Sequence, residues 1–116
     1  MTDFILVLTA IGSQEEAQRL ASAVVGKRFA SSTNILGPAR STYWWKGRME
    51  TAREEWFCLI RTTRDRYEAV EQTIRANHSY EEPGIIALPI IAGSESYLNW
   101  MMREIYADTQ RRSEGK

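Results

Sequence analysis

Tyr43-Trp44-Trp45-Lys46-Gly47-Arg48, leading on to Trp56-Phe57-Cys58-Leu59-Ile60, is the stretch whose reading decides the fold. Aromatic and β-branched residues favour a pleated, half-buried backbone, and Lys46-Gly47 supplies a turn between two such runs. The pattern predicts a long β-hairpin whose arms begin near residue 41 and end near residue 60. The far arm is fully apolar around Leu59, whereas residues 48–55 are polar. The tip of the hairpin is therefore expected to project beyond the core.

Upstream of the hairpin, residues 32–36 read as a strand that stops at Gly37-Pro38. Further back, Phe4-Ile5-Leu6-Val7-Leu8 is a continuous β-prone run, as expected of a strand covered on both faces. Ser13 and Glu16 make a capping-box signature, and Ala17, Leu20, Ala21, Val24 and Val25 follow at helical spacing. Downstream, Thr63 or Asp65 starts a second helix with the stripe Tyr67, Val70, Ile74, ended by Asn77-His78-Ser79. Ile85-Ile86-Ala87-Leu88 is the last strand, and Pro89, which cannot donate to a ladder, belongs at a sheet edge or strand end. Gly93-Ser94 opens a third helix with Leu98, Met101, Met102 and Ile105 on one face.

The order β-α-β-β-α-β plus a terminal helix gives an α+β, ferredoxin-like antiparallel sheet with both main helices on one face. One domain is expected over residues 1–107, with a polar and disordered tail at 108–116. Alternation points Tyr43 and Trp45 to one side of the hairpin and Trp44 to the other. Monomers avoid so much exposed aromatic surface, so burial against another copy of the chain is expected. The alternative is that the third helix folds back over the open face.

Bulk properties narrow the function classes. A chain of 116 residues, 43% hydrophobic and 26% charged, can bury a core without disulfides or a structural metal. Fifteen basic residues balance fifteen acidic ones, so no basic excess points to nucleic acid or a membrane surface. The longest apolar stretch, residues 84–93, is broken by Pro89 and is too short to span a bilayer. With Cys58 the sole cysteine, no intrachain disulfide forms, which favours a reducing compartment. The N-terminus has no basic region ahead of its apolar run, and a cytoplasmic protein is the expectation.

Five ordered blocks make the reading more specific. Tyr43-Trp44-Trp45-Lys46-Gly47 with Glu50 resembles the hairpin of the CutA family of divalent-cation tolerance proteins. His78-Ser79-Tyr80-Glu81 is similar to that family's His-Pro-Tyr-Glu segment. Ile86-Ala87-Leu88-Pro89, Gly93 and Tyr97-Leu98-Asn99-Trp100 keep the family's order and spacing, and Asn34-Ile35-Leu36-Gly37 and Arg61-Thr62 are near matches. The resemblance covers residues 4–105. It implies a tight homotrimer like that of the PII signalling proteins, with hairpins pairing between subunits through Tyr43, Trp44 and Trp45. It also implies a part in copper tolerance and no established reaction. The chain departs from the family pattern at Ser32, where many relatives have cysteine, and at Ser79, in place of proline. Arg61 replaces a common lysine, and Gly84 stands where glutamate is usual.

His78, the one histidine, is the obvious ligand, and it also sits where a cation would cap a helix C-terminus. One histidine cannot close a metal site, so a trimer would have to converge three copies of His78, or pair His78 with Glu81 or Glu82 of a neighbouring subunit, to hold a divalent ion such as copper or zinc. No cofactor is required. Cys58, between Phe57 and Leu59, reads as core. Met101 lies on a helix stripe and reads as packing, not as a copper site. Lys46, Glu50, Arg61 and Tyr80 are candidates for a polar cleft between subunits holding a small anionic ligand. The bland reading of Lys46 is an ion pair to a neighbouring subunit's carboxylate. Phosphate-loop, dinucleotide, zinc-protease and serine-hydrolase motifs are absent, so the chain reads as a binding module and not an enzyme.

Overall fold

The computed structural model describes residues 3–107, and the predicted C-terminal tail lies outside them. Strand β1 (Phe4–Ile11) is followed by helix α1 (Gln14–Gly26), β2 (Ser32–Trp45) and β3 (Arg48–Thr63). A 3-10 turn (Arg64–Arg66) leads into α2 (Tyr67–Ala76), then β4 (Ile85–Pro89) and α3 (Glu95–Ile105). The sheet runs β2-β3-β1-β4, antiparallel throughout. That is the predicted ferredoxin-like order, with β1 and β3 central and Pro89 at the end of an edge strand.

Helices cover one face of this sheet, and that decides how β1 is buried. Ile5, Val7, Thr9 and Ile11 are buried, whereas Phe4, Leu6, Leu8 and Ala10 are half-exposed. The expectation of a strand covered on both faces is therefore corrected. The inward residues pack with Cys58 and Ile60 of β3, Ala17, Leu20 and Val24 of α1, and Val70 and Ile74 of α2. Cys58 is fully buried, and burial pushes its thiol up to about 11, so its role is core packing. The opposite face remains open: Leu36, Ile86 and Leu88 are 55%, 56% and 43% exposed. The third helix does not close it. Its Met101 and Ile105 are buried, Tyr106 just after it bonds Thr63 and Asp65, and Arg28 bonds Glu104.

Two local readings also change. Strand β2 does not stop at Gly37-Pro38 but continues through register shifts between Leu36 and Ala39 and between Ala39 and Ser41. A β-bulge absorbs extra residues without ending the pairing. Glycine is needed there, because a Cβ on Gly37 would lie 2.8 Å from the Trp56 ring and 2.9 Å from the Glu55 carbonyl. At the tip, Lys46 and Gly47 both have positive φ, 50° and 80°, as a two-residue primed turn requires. The hairpin accounts for the elongated shape, 56 × 28 × 22 Å.

The capping box is half made. The Ser13 hydroxyl accepts from the Glu16 N–H at 3.1 Å, as predicted. The Glu16 carboxylate turns instead to the loop after α2, accepting from the Ser79 N–H at 3.1 Å and the Ser79 hydroxyl at 3.2 Å. The family's proline at this place would have no N–H to give.

Candidate functional site

The hairpin and the loop of residues 77–84 enclose a cleft of about 580 Å³ at one end of the open sheet face. Ala10 and Phe57, paired across β1 and β3, form part of its base. Ser41, Tyr43, Trp44 and Trp45 line it from the hairpin, and Tyr80, Glu81, Glu82 and Gly84 from the loop. Glu55 completes it from β3 and is only 5% exposed. Its hydrogen bond among the described residues comes from the Tyr80 hydroxyl, at 2.9 Å. Burial and then that bond to an anion raise the Tyr80 phenol well above its usual range.

The loop is held from three sides. The His78 Nε2–H donates to the Ala10 carbonyl at 2.7 Å, just past the point where β4 stops pairing with β1. Its Nδ1 accepts from the Tyr80 N–H at 3.2 Å, which fixes the neutral tautomer. The imidazole packs against the Tyr80 ring with centroids 4.7 Å apart. Glu16 holds Ser79, as above. The predicted capping of α2 by His78 falls instead to Asn77, whose side-chain amide donates to the Thr73 carbonyl at 2.9 Å.

Within one chain, the residues of the expected metal set are held differently. Glu81 and Glu82 both line the exposed mouth of the cleft, while both His78 nitrogens are engaged inside the chain. No group of three or more His, Cys, Asp or Glu side chains stands close enough to hold a metal ion among the described residues.

Of the residues expected at an anion cleft between subunits, not all lie at this cleft of the single chain. Tyr80 lines it. Lys46 lies at its edge and pairs within the same chain with Glu81, at 3.7 Å, with both side chains largely exposed. Such a pair contributes about 0–1 kcal/mol. Glu50 sits opposite Tyr43 in the hairpin ladder, exposed and outside the lining. Arg61 is bonded to Asn34, four residues along β3 from Phe57 and about 13 Å away at the usual strand rise. The charged groups on the cleft wall are carboxylates: Glu55, Glu81 and Glu82.

Sequence reasoning missed Glu55, which it placed in a polar, projecting arm. The available signal was phase: Glu55 shares strand parity with Phe57 and Leu59, whose side chains face the sheet's open side. The aromatic run was found, and the structure leaves Trp44 73%, Tyr43 43% and Trp45 37% exposed.

Residues 5–104 match the family model described as CutA1 divalent ion tolerance protein. Over 97 residues the chain is 35% identical to the chloroplastic protein CutA 1 of Oryza sativa subsp. japonica. That match covers 84% of this chain and 54% of the rice protein. The chain spans about half the length of this relative and of its chloroplastic counterpart in Arabidopsis thaliana, of which 53% is covered. The fold superposes on the divalent cation tolerance protein of Thermus thermophilus with a TM-score of 0.81 and 34% identity, covering 84% of this chain and 94% of that one. The periplasmic divalent cation tolerance protein CutA of Archaeoglobus fulgidus gives a TM-score of 0.82 and 33% identity, covering 90% and 99%.

These relatives correct the cytoplasmic expectation. Two are chloroplastic and one is periplasmic by name, so a chain of this kind does not imply the cytoplasm. No helix among the described residues is long and apolar enough to cross a membrane. With the sheet order, the aromatic hairpin and the matched span in agreement, the chain belongs to the CutA1 divalent ion tolerance protein family.

Proposed function

We propose that the chain is a non-catalytic binding module of divalent-cation tolerance, assembled as a homotrimer, which takes up a divalent ion such as copper through Glu81 and Glu82. The observation that carries this reading is the charge of the cleft: its described lining holds three carboxylates and no cationic side chain. Carboxylate oxygens alone make a weak copper site, and two residues of one chain leave coordination positions to fill. A trimer supplies them by bringing copies of the same loop together. The exposed Trp44 and the open apolar face at Leu36, Ile86 and Leu88 are the surfaces such an assembly would bury. His78 serves by holding the loop that presents the two glutamates.

The anionic-ligand reading has less support, because Arg61 lies away from the cleft and Lys46 is paired with Glu81. Native mass spectrometry with added copper or zinc, on the wild type and on a Glu81→Gln, Glu82→Gln double variant, tests the proposal. A trimer with whole-number uptake that the double variant loses is the expected result. A monomer, or uptake unchanged in the variant, refutes it.

A further inference from the structure

We propose that Glu16, at the start of α1, is a positioning residue for metal uptake, fixing the loop that presents Glu81 and Glu82. The inference rests on the metal reading of those two glutamates and adds how the chain holds them in place. They occupy a span of two residues: both are exposed, and the span is bounded by the half-buried Tyr80 and the buried Pro83. The tie at Glu81 itself is slight. It pairs with Lys46 at 3.7 Å with both side chains largely exposed, and such pairs are worth little. The two carboxylates therefore stand where residues 78–80 put them.

Residues 78–80 are seated on the junction between β1 and α1. His78 bonds the Ala10 carbonyl, and the Tyr80 ring lies over Gly12, where a Cβ would stand 3.4 Å from the ring carbon Cε1. Glu16 makes the most directional contact of the three. Its Oε1 accepts from the Ser79 N–H at 3.1 Å and its Oε2 from the Ser79 hydroxyl at 3.2 Å, so both oxygens grip one residue. Two charge-assisted bonds from separate donors to separate oxygens fix orientation as well as distance. The Ser13 hydroxyl stands 3.5 Å from the same Oε2 and accepts from the Glu16 N–H, which steadies the carboxylate from its own side. Groups that orient metal ligands from outside the coordination sphere are worth about 10- to 100-fold in affinity. Glu16 acts two residues away from the nearer glutamate, so the low end of that range applies.

The test is the copper affinity of the assembled full chain, by titration calorimetry, on wild type, Glu16→Ala, Glu16→Gln and Glu15→Ala. Hydrogen exchange of the Ser79 amide is measured on the same proteins without metal. Glu15 is exposed in the same first turn of α1, so its variant removes an equal charge without releasing Ser79. Glu16→Ala should bind copper about tenfold more weakly at unchanged stoichiometry, and its Ser79 amide should exchange faster. Glu16→Gln keeps an acceptor for the Ser79 N–H and should recover most of the affinity, while Glu15→Ala should match wild type. Ser79→Ala, which deletes only the hydroxyl, should show a smaller loss and serves if Glu16→Ala folds poorly. A lower melting temperature in Glu16→Ala with copper affinity unchanged overturns the proposal, as does an equal loss of affinity in Glu15→Ala. Either result leaves the metal reading standing. Absence of copper uptake by wild type refutes the metal reading and removes this role of Glu16 with it.

Discussion

Replacing Tyr80 by phenylalanine removes a single hydroxyl from the middle of the cleft wall, and its cost can be estimated from the contacts of that hydroxyl. The ring keeps its packing against His78, and the backbone N–H of residue 80 still donates to the imidazole. What is lost is the 2.9 Å bond to a carboxylate that is 5% exposed. Hydrogen bonds to charged groups contribute about 1.5–3 kcal/mol, and a buried acceptor left unpaired puts the cost in the upper part of that range. In the Glu55→Gln background the charge is gone, and the same Tyr80→Phe change should cost about 0.5–1.5 kcal/mol. A double-mutant cycle by urea denaturation should therefore give a coupling energy of about 1–2 kcal/mol. All four proteins must be compared at one concentration, because subunit association shifts the midpoint. Coupling below about 0.3 kcal/mol, within the scatter of independent sites, would refute the reasoning. Glu55 would then be satisfied by water.

Three further outcomes are expected. Gly37→Ala should destabilise by about 1–3 kcal/mol, since its Cβ would meet the Trp56 ring and Glu55 carbonyl; an unchanged denaturation midpoint would show that the bulge can relax. Burial opposes ionisation of Asp65, but hydrogen bonds from Thr63 and Tyr106, with the Arg66 charge, hold its carboxyl below its ordinary value of 3.8. Its contribution is therefore present above that value and lost as pH falls through the lower folded value, so Asp65→Asn should destabilise at neutral pH and converge with wild type in acid melting curves. Gly84→Glu should fold normally, because a Cβ there meets nothing within 4 Å, and should strengthen copper uptake in native mass spectra; weaker uptake would count against a metal at the cleft mouth.

The element order was legible because periodicity is local: the stripes of α1 and α2 and the Lys46-Gly47 turn are written in adjacent residues. Gly37-Pro38 misled because it reads as a stop when β2 is considered alone. Pairing with β3 on either side of the bulge carries the strand through, and that information lies some twenty residues away. Glu16 misled for the same reason, since the carboxylate that a capping box would turn back to the Ser13 N–H is held by the distant Ser79. For the cleft, Tyr80, Glu81, Glu82 and the aromatic run were found. Glu55 was hidden among the neighbouring glutamates Glu50 and Glu54, which look identical until strand phase is applied. Arg61 and Lys46 were assigned to an anion site by charge alone, and only the sheet geometry separates one from the cleft and pairs the other with Glu81.

Glu16 serves two places at once, its N–H capping the start of a helix and its carboxylate holding a loop 63 residues later in the chain. That sharing makes the first turn of α1 a foundation for the cleft mouth. Substitutions at residues 13 and 16 would be felt at Glu81 and Glu82 without touching either. Selection on ligand uptake should therefore act on positions that look like ordinary helix capping, and Glu16 and Ser79 should change together when either changes.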